Sequence, residues 1–114
     1  MKIPKLAMLG VALTALVACT TVYEGKYEFN DGWREGVIQQ IGSASDIAVP
    51  QFSDCRENLS AQQLATTRFA LVAYRRMGRM QRNVVPLQAN DVSSAGQAVY
   101  MNVADCKAKL VARP

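Results

Sequence analysis

The sequence predicts a mainly β protein, a small antiparallel barrel or curled sheet, and three stretches carry that prediction. Residues 97–103 set Val99, Met101 and Val103 against Ala98, Tyr100 and Asn102, the period of two that sends alternate side chains to opposite faces of a strand. Residues 36–42 are bounded by glycines and rich in β-branched side chains. Residues 68–75 and 82–87 flank Met77-Gly78-Arg79, a stretch able to turn between two strands. With turn residues between three to five strands and no strong helix, an antiparallel β architecture follows.

The chain opens with Lys2 and Lys5, then an apolar run from Leu6 to Val17 broken only at Thr14, then Ala18 and Cys19. A cationic start, a short apolar core and small residues at a cleavage point make a secretory signal over residues 1–18, expected to be helical. Its core of roughly 12 residues falls short of the about 20 a helix needs to cross a bilayer.

Leu16-Val17-Ala18-Cys19 resembles the lipobox of bacterial lipoproteins at all four positions. The resemblance implies that the Cys19 sulfur receives a diacylglyceryl group, that the chain is cut before Cys19, and that the freed amine is acylated. A thiolate is the strongest nucleophile a side chain offers, which suits cysteine to that attachment. Each buried methylene contributes about 0.8 kcal/mol and one acyl chain holds only marginally, so two or three chains anchor firmly. Thr20 follows the cysteine where an Asp would resemble an inner-membrane retention signal. The expected location is therefore the outer membrane, lipid-anchored and facing the periplasm.

Without residues 1–18, 96 of the 114 residues remain, and the 13 bases fall to 11 against 9 acids, a net charge of +2. That length allows one small domain with a thin core. If lipid takes Cys19, then Cys55 and Cys106 remain as an even pair in an oxidising compartment, and the resemblance implies one disulfide between them. Redox-active thiols are the competing possibility, but neither cysteine lies in a Cys-x-x-Cys arrangement and no His is present to activate a thiolate.

Residues 19–28, polar with Tyr23 and Tyr27, are expected to tether a small β domain over 29–114. Phe29-Asn30-Asp31-Gly32-Trp33 sets a turn signal between aromatics, a tight hairpin or a strand entry. Residues 43–60 are expected to be a long loop pinned by Cys55. Residues 60–87 admit two assignments. Ser60-Ala61-Gln62-Gln63 matches a capping box, and Ala65, Phe69, Val72, Ala73, Met77 and Met80 recur at helical spacing. Against a continuous helix, Gly78 within it would cost about 1 kcal/mol relative to Ala, whereas in a hairpin it serves the turn. The hairpin is preferred, with a short helical turn after Ser60. Residues 90–96 are turn-rich, and 109–113 could add a short edge strand. The hairpin followed by Val-x-Met-x-Val, over about residues 68–103, loosely resembles small β domains of other envelope lipoproteins, including the C-terminal domain of glycine-zipper lipoproteins, though no glycine zipper is present.

The absence of His removes the commonest general base and metal ligand. Glu24, Glu28, Asp31 and Glu35 could supply a carboxylate pair but fit solvated surface positions better, and no Gly-x-Ser-x-Gly, Ser-x-x-Lys, phosphate loop or zinc spacing occurs. No enzyme activity, cofactor or metal is expected. Charge is more informative. Residues 19–57 carry seven acids against three bases, and residues 58–114 eight bases against two acids. Arg75, Arg76, Arg79 and Arg82 gather around the expected hairpin turn, with Arg68 nearby, as a surface for lipid head groups, lipopolysaccharide phosphates or an acidic protein patch. The competing role is a solvated tip that guards a sheet edge. Trp33 beside Arg34 is either a binding anchor or half-buried core, with core preferred. The expected function is a non-catalytic structural or binding component of the cell envelope, held to the membrane by its lipid and meeting an envelope protein or anionic envelope component, not nucleic acid. A small periplasmic inhibitor or immunity-type lipoprotein is the alternative.

Overall fold

The computed structural model describes residues 21–48, 53–88 and 94–114; the expected signal helix over 1–18 and the expected acylation site Cys19 lie outside them. The described strands are β1 (Val22–Tyr23), β2 (Tyr27–Glu28), β3 (Trp33–Ser43), β4 (Ser53–Asp54), β5 (Arg68–Arg76), β6 (Arg79–Pro86), β7 (Ala98–Asn102) and β8 (Val111–Ala112). Among the described residues one helix, α1, covers Ala61–Thr66, and 3-10 turns cover Phe29–Asp31 and Cys55–Asn58. β1 and β2 form a small hairpin, and the other six strands make one sheet in the order β4-β6-β5-β3-β7-β8. All neighbours in that sheet are antiparallel except β4 and β6.

The protein is mainly β, with a Cys55–Cys106 disulfide. The closed-barrel alternative is corrected, because the sheet stays open and ends at the two-residue strands β4 and β8. Strands this short carry too few backbone groups to zip a seam. The disulfide spans the sheet in their place: Cys55 follows β4 at one edge, and Cys106 lies between β7 and β8 at the other.

Alternation in the central strands gives the sheet two faces. Ile38, Ala70, Val72, Tyr74, Val85, Val99 and Met101 pack on one face beneath Cys55 and Leu110. On the other face Phe69 and Val84 pack with Ile47, and Leu59, Leu64 and Leu71 close around them. Leu64 is only partly buried and gains a share of the about 1.5–3 kcal/mol that full burial of an aliphatic side chain gives; that cover helps hold α1, although it is only six residues long. Its start is capped reciprocally: the Gln63 amide donates to Ser60 Oγ at 3.2 Å, and the Ser60 amide donates to Gln63 Oε1 at 2.9 Å.

Residues 68–86 form the preferred hairpin, not a continuous helix. Arg76 pairs with Arg79 across a two-residue loop in which Met77 has φ 52° and Gly78 φ 80°. Positive φ at both loop positions matches the right-handed twist of the flanking strands. The aromatic turn at 29–33 is a strand entry. Gly32, at φ 103°, ends the first 3-10 turn and releases Trp33 into β3. A side chain at Gly32 would have to share space with Asn102 Oδ1 at 2.6 Å and Ala104 Cβ at 2.7 Å. A register shift at Gln39 lets the long β3 pair with β7 through its first half and with β5 from Gly36 onward.

Within the 19–28 stretch expected as a tether, β1 and β2 dock as a hairpin on the sheet. The Tyr23 and Tyr27 rings each lie 5.3 Å from Tyr100, and Tyr27 lies 4.8 Å from Trp33. Trp33 is half-buried in that cluster, as preferred from the sequence.

Candidate functional site

The β5–β6 hairpin runs past the body of the sheet. On the inner side, pairing of β5 with β3 ends at Tyr74; on the outer side, β4 covers only Asn83 and Val84 of β6. Residues 75–80 therefore project, and all six are exposed. Two-strand register then assigns the arginines. Arg76 and Arg79 are directly opposed and share one face of the hairpin. Arg75 lies on the other face opposite Met80, and Arg82, on that same face, is opposite Ala73. The cluster read from the sequence thus flanks the tip on both faces and is not one flat patch. Arg82 is drawn back toward the sheet, donating from Nε to Gln39 Oε1 at 2.9 Å. At the apex Met77 is 92% exposed, and Met80 is 50% exposed.

Beside the disulfide lies an open cleft of about 490 Å³, lined among others by Arg34, Asp54, Glu57, Tyr74, Arg76 and Cys106. Its lining mixes guanidinium, carboxylate and hydroxyl side chains, so the cleft is polar and does not suit an apolar ligand. Arg34 is fixed by its surroundings: its guanidinium lies 3.4 Å from the centre of the Phe29 ring and donates to the Phe29 and Trp33 carbonyls at 2.8 Å. The cleft escapes a linear reading because its walls come from four separate segments of chain.

Arg56 is the most heavily used polar side chain near the cleft. It grips Asp54 through Nε at 2.9 Å and Nη2 at 2.7 Å, and donates from Nη1 to the Ala44 and Ile47 carbonyls at 2.7 and 2.6 Å. Arg56 is only 10% exposed and Asp54 7%. Burial works against the charge on Asp54, but hydrogen bonds from the Arg56 side chain and amide outweigh it and hold the carboxyl below the usual Asp range. This knot ties the loop after β3 to β4, a structural task that accounts for both charges.

Of the four acids considered as a carboxylate pair, Glu28 shares a hydrogen bond with Asp31, which together with the like charge raises its carboxyl above the usual Glu value. Both residues are exposed. Glu35 accepts from Arg113 Nη1 at 2.6 Å, pinning the C-terminal strand to β3. Among the described residues no group of three His, Cys, Asp or Glu side chains could hold a metal ion, and no helix is long and apolar enough to cross a membrane. No family model, curated protein or solved structure matches this chain.

Proposed function

We propose that this chain is a non-catalytic lipoprotein of the bacterial envelope, anchored through Cys19 to the outer membrane, facing the periplasm, and binding an anionic envelope component through the tip of the β5–β6 hairpin. The observation that carries this is the tip itself. It has six exposed residues beyond the reach of the neighbouring strands, three of them Arg and none acidic. Arginine presents a planar fork of donors matched to phosphate and carboxylate oxygens, and a projecting hairpin offers that fork with little steric obstruction. The anchor is supported by the Leu16-Val17-Ala18-Cys19 motif and by the disulfide, which suits an oxidising compartment.

Two measurements test this function. Mass spectrometry of protein purified from membranes should find acylated Cys19 at the amino terminus, and an unmodified sulfur or another terminus would refute the anchoring. Crosslinking in cells from a photoreactive residue at position 80 should capture an envelope component, and capture should fall when Arg75, Arg76 and Arg79 become Ser, with the circular dichroism spectrum unchanged. Equal capture by both proteins would remove the tip as the binding element.

A further inference from the structure

We propose that the tip's occupant is the anionic phospholipid surface of the leaflet that carries the Cys19 anchor, with Met77 seated below the phosphates and Arg75 and Arg79 bound to them. This rests on the function proposed above and names its partner. Three observations lead to it.

The first is the residue at the apex. Position 77 has φ 52°, where Asn or Gly is easily accommodated and an unbranched apolar residue is strained. Met77 is also 92% exposed, so its thioether chain contributes no burial to the fold. The protein thus keeps an apolar group where both backbone and solvent disfavour it, which an apolar environment outside the protein would repay.

The second is the disposition of charge. Arg75 and Arg79 stand on opposite faces of the hairpin, each within two residues of the apex, a rise of about 7 Å at most. An acidic protein patch would engage one face. A headgroup layer surrounds a tip inserted end-on and meets cations on both faces, while their aliphatic stems lie along the apolar boundary.

The third is where the chain enters. β3 runs antiparallel to β5, so the start of β3 lies at the end of the sheet from which the tip projects. The chain reaches β3 through the β1–β2 hairpin, stacked on Tyr100 and Trp33 at that same end, and the Phe29 amide donates to the Thr21 carbonyl at 2.9 Å. Thr21 is two positions after Cys19. The described chain therefore begins, at Thr21, at the end from which the tip projects, so an acyl group two positions earlier and the tip can meet one bilayer.

The experiment uses acylated protein reconstituted into vesicles of phosphatidylcholine, alone or with phosphatidylglycerol, carrying an environment-sensitive NBD label on Met77→Cys. Ser45→Cys, just beyond β3 at the far end of the sheet, carries the label as control. On anionic vesicles the label at 77 should emit at shorter wavelength and be quenched by doxyl lipid, while the label at 45 stays aqueous. Neutral vesicles, or about 1 M salt with its screening length of about 3 Å, should abolish the signal. Adding Arg75→Ser and Arg79→Ser should lower the ratio of inserted to aqueous tip by roughly thirty-fold, about five-fold per arginine near an anionic surface. A label at 77 as aqueous as that at 45 on anionic vesicles overturns the proposal. If arginine-dependent crosslinking in cells survives that result, the occupant is an acidic protein surface and the proposed function stands; if crosslinking is also lost, the tip is not a binding element.

Discussion

Replacing Cys55 and Cys106 by Ala tests the bond that spans the open sheet. The bond closes 51 residues, and the chain-entropy treatment assigns a loop of that size about 4 kcal/mol of stabilisation. Packing adds to this: Cys55 is 4% exposed inside the main core cluster, and removing its sulfur leaves a gap worth about 1 kcal/mol. Small domains have only about 5–15 kcal/mol of net stability, so the double variant should be close to unfolding at 37 °C. In urea, followed by the emission of the single Trp33 and by circular dichroism, a slope near 1.5 kcal/mol/M converts the combined loss of about 5 kcal/mol into a midpoint lower by roughly 3 M. Wild-type protein in excess reductant should approach the same midpoint. Amide exchange should accelerate first in residues 103–110, which the bond holds to the sheet from the β8 side. A midpoint within about 0.5 M of wild type would refute the reasoning, since the edges would then be held by contacts other than the covalent tie.

Four further outcomes are expected. Gly32→Ala combines a φ of 103° with overlap against Asn102 and Ala104, and should cost about 2–4 kcal/mol in urea melts, whereas Gly25→Ala, at φ 68° but in open space, should cost only about 1 kcal/mol. Arg56→Met strands the buried Asp54 carboxylate and should cost about 3–5 kcal/mol by the same assay; Asp54→Asn should restore part of that loss in the double variant. Because the folded-state pKa of Asp54 is depressed, its contribution is complete above the unfolded value near 3.9 and is lost as pH falls through the folded one; the melting temperature of wild type should drop in that acid range, and the drop should be smaller in Asp54→Asn. Ser60→Ala breaks the capping box and should lower stability by about 1 kcal/mol, while Met77→Asn, which suits the positive φ, should raise it by a similar amount as read by thermal denaturation.

Local chemistry made several elements legible without a structure. The capping box at Ser60 and Gln63 acts between neighbours in sequence, and it forms. Gly78 marks the β5–β6 turn because positive φ is a property of single residues. The alternation of residues 97–103 became β7, and the edge strand expected near 109–113 is β8. What stayed out of reach depends on which strands become neighbours. Arg76 and Arg79 fall on one face and Arg75 on the other only once the register of β5 and β6 is known, so a run of arginines in sequence could not reveal a tip charged on both sides. Arg56 drew no attention in sequence because its acceptors, the Ala44 and Ile47 carbonyls, belong to backbone that carries no residue signature.

The amino-acid sequence alone decided that the domain is mainly β and where its hairpin turns, because strand periodicity and positive φ are short-range properties; with three cysteines in the chain, the Cys55–Cys106 pair was expected only through the lipobox resemblance of residues 16–19. Tertiary structure alone decided that the sheet stays open, with a disulfide across it instead of a hydrogen-bonded seam, since closure depends on edge strands that proved two residues long. It also decided that the arginine tip and the incoming chain share one end of the sheet, a consequence of the antiparallel pairing of β3 with β5 that no stretch of residues encodes by itself.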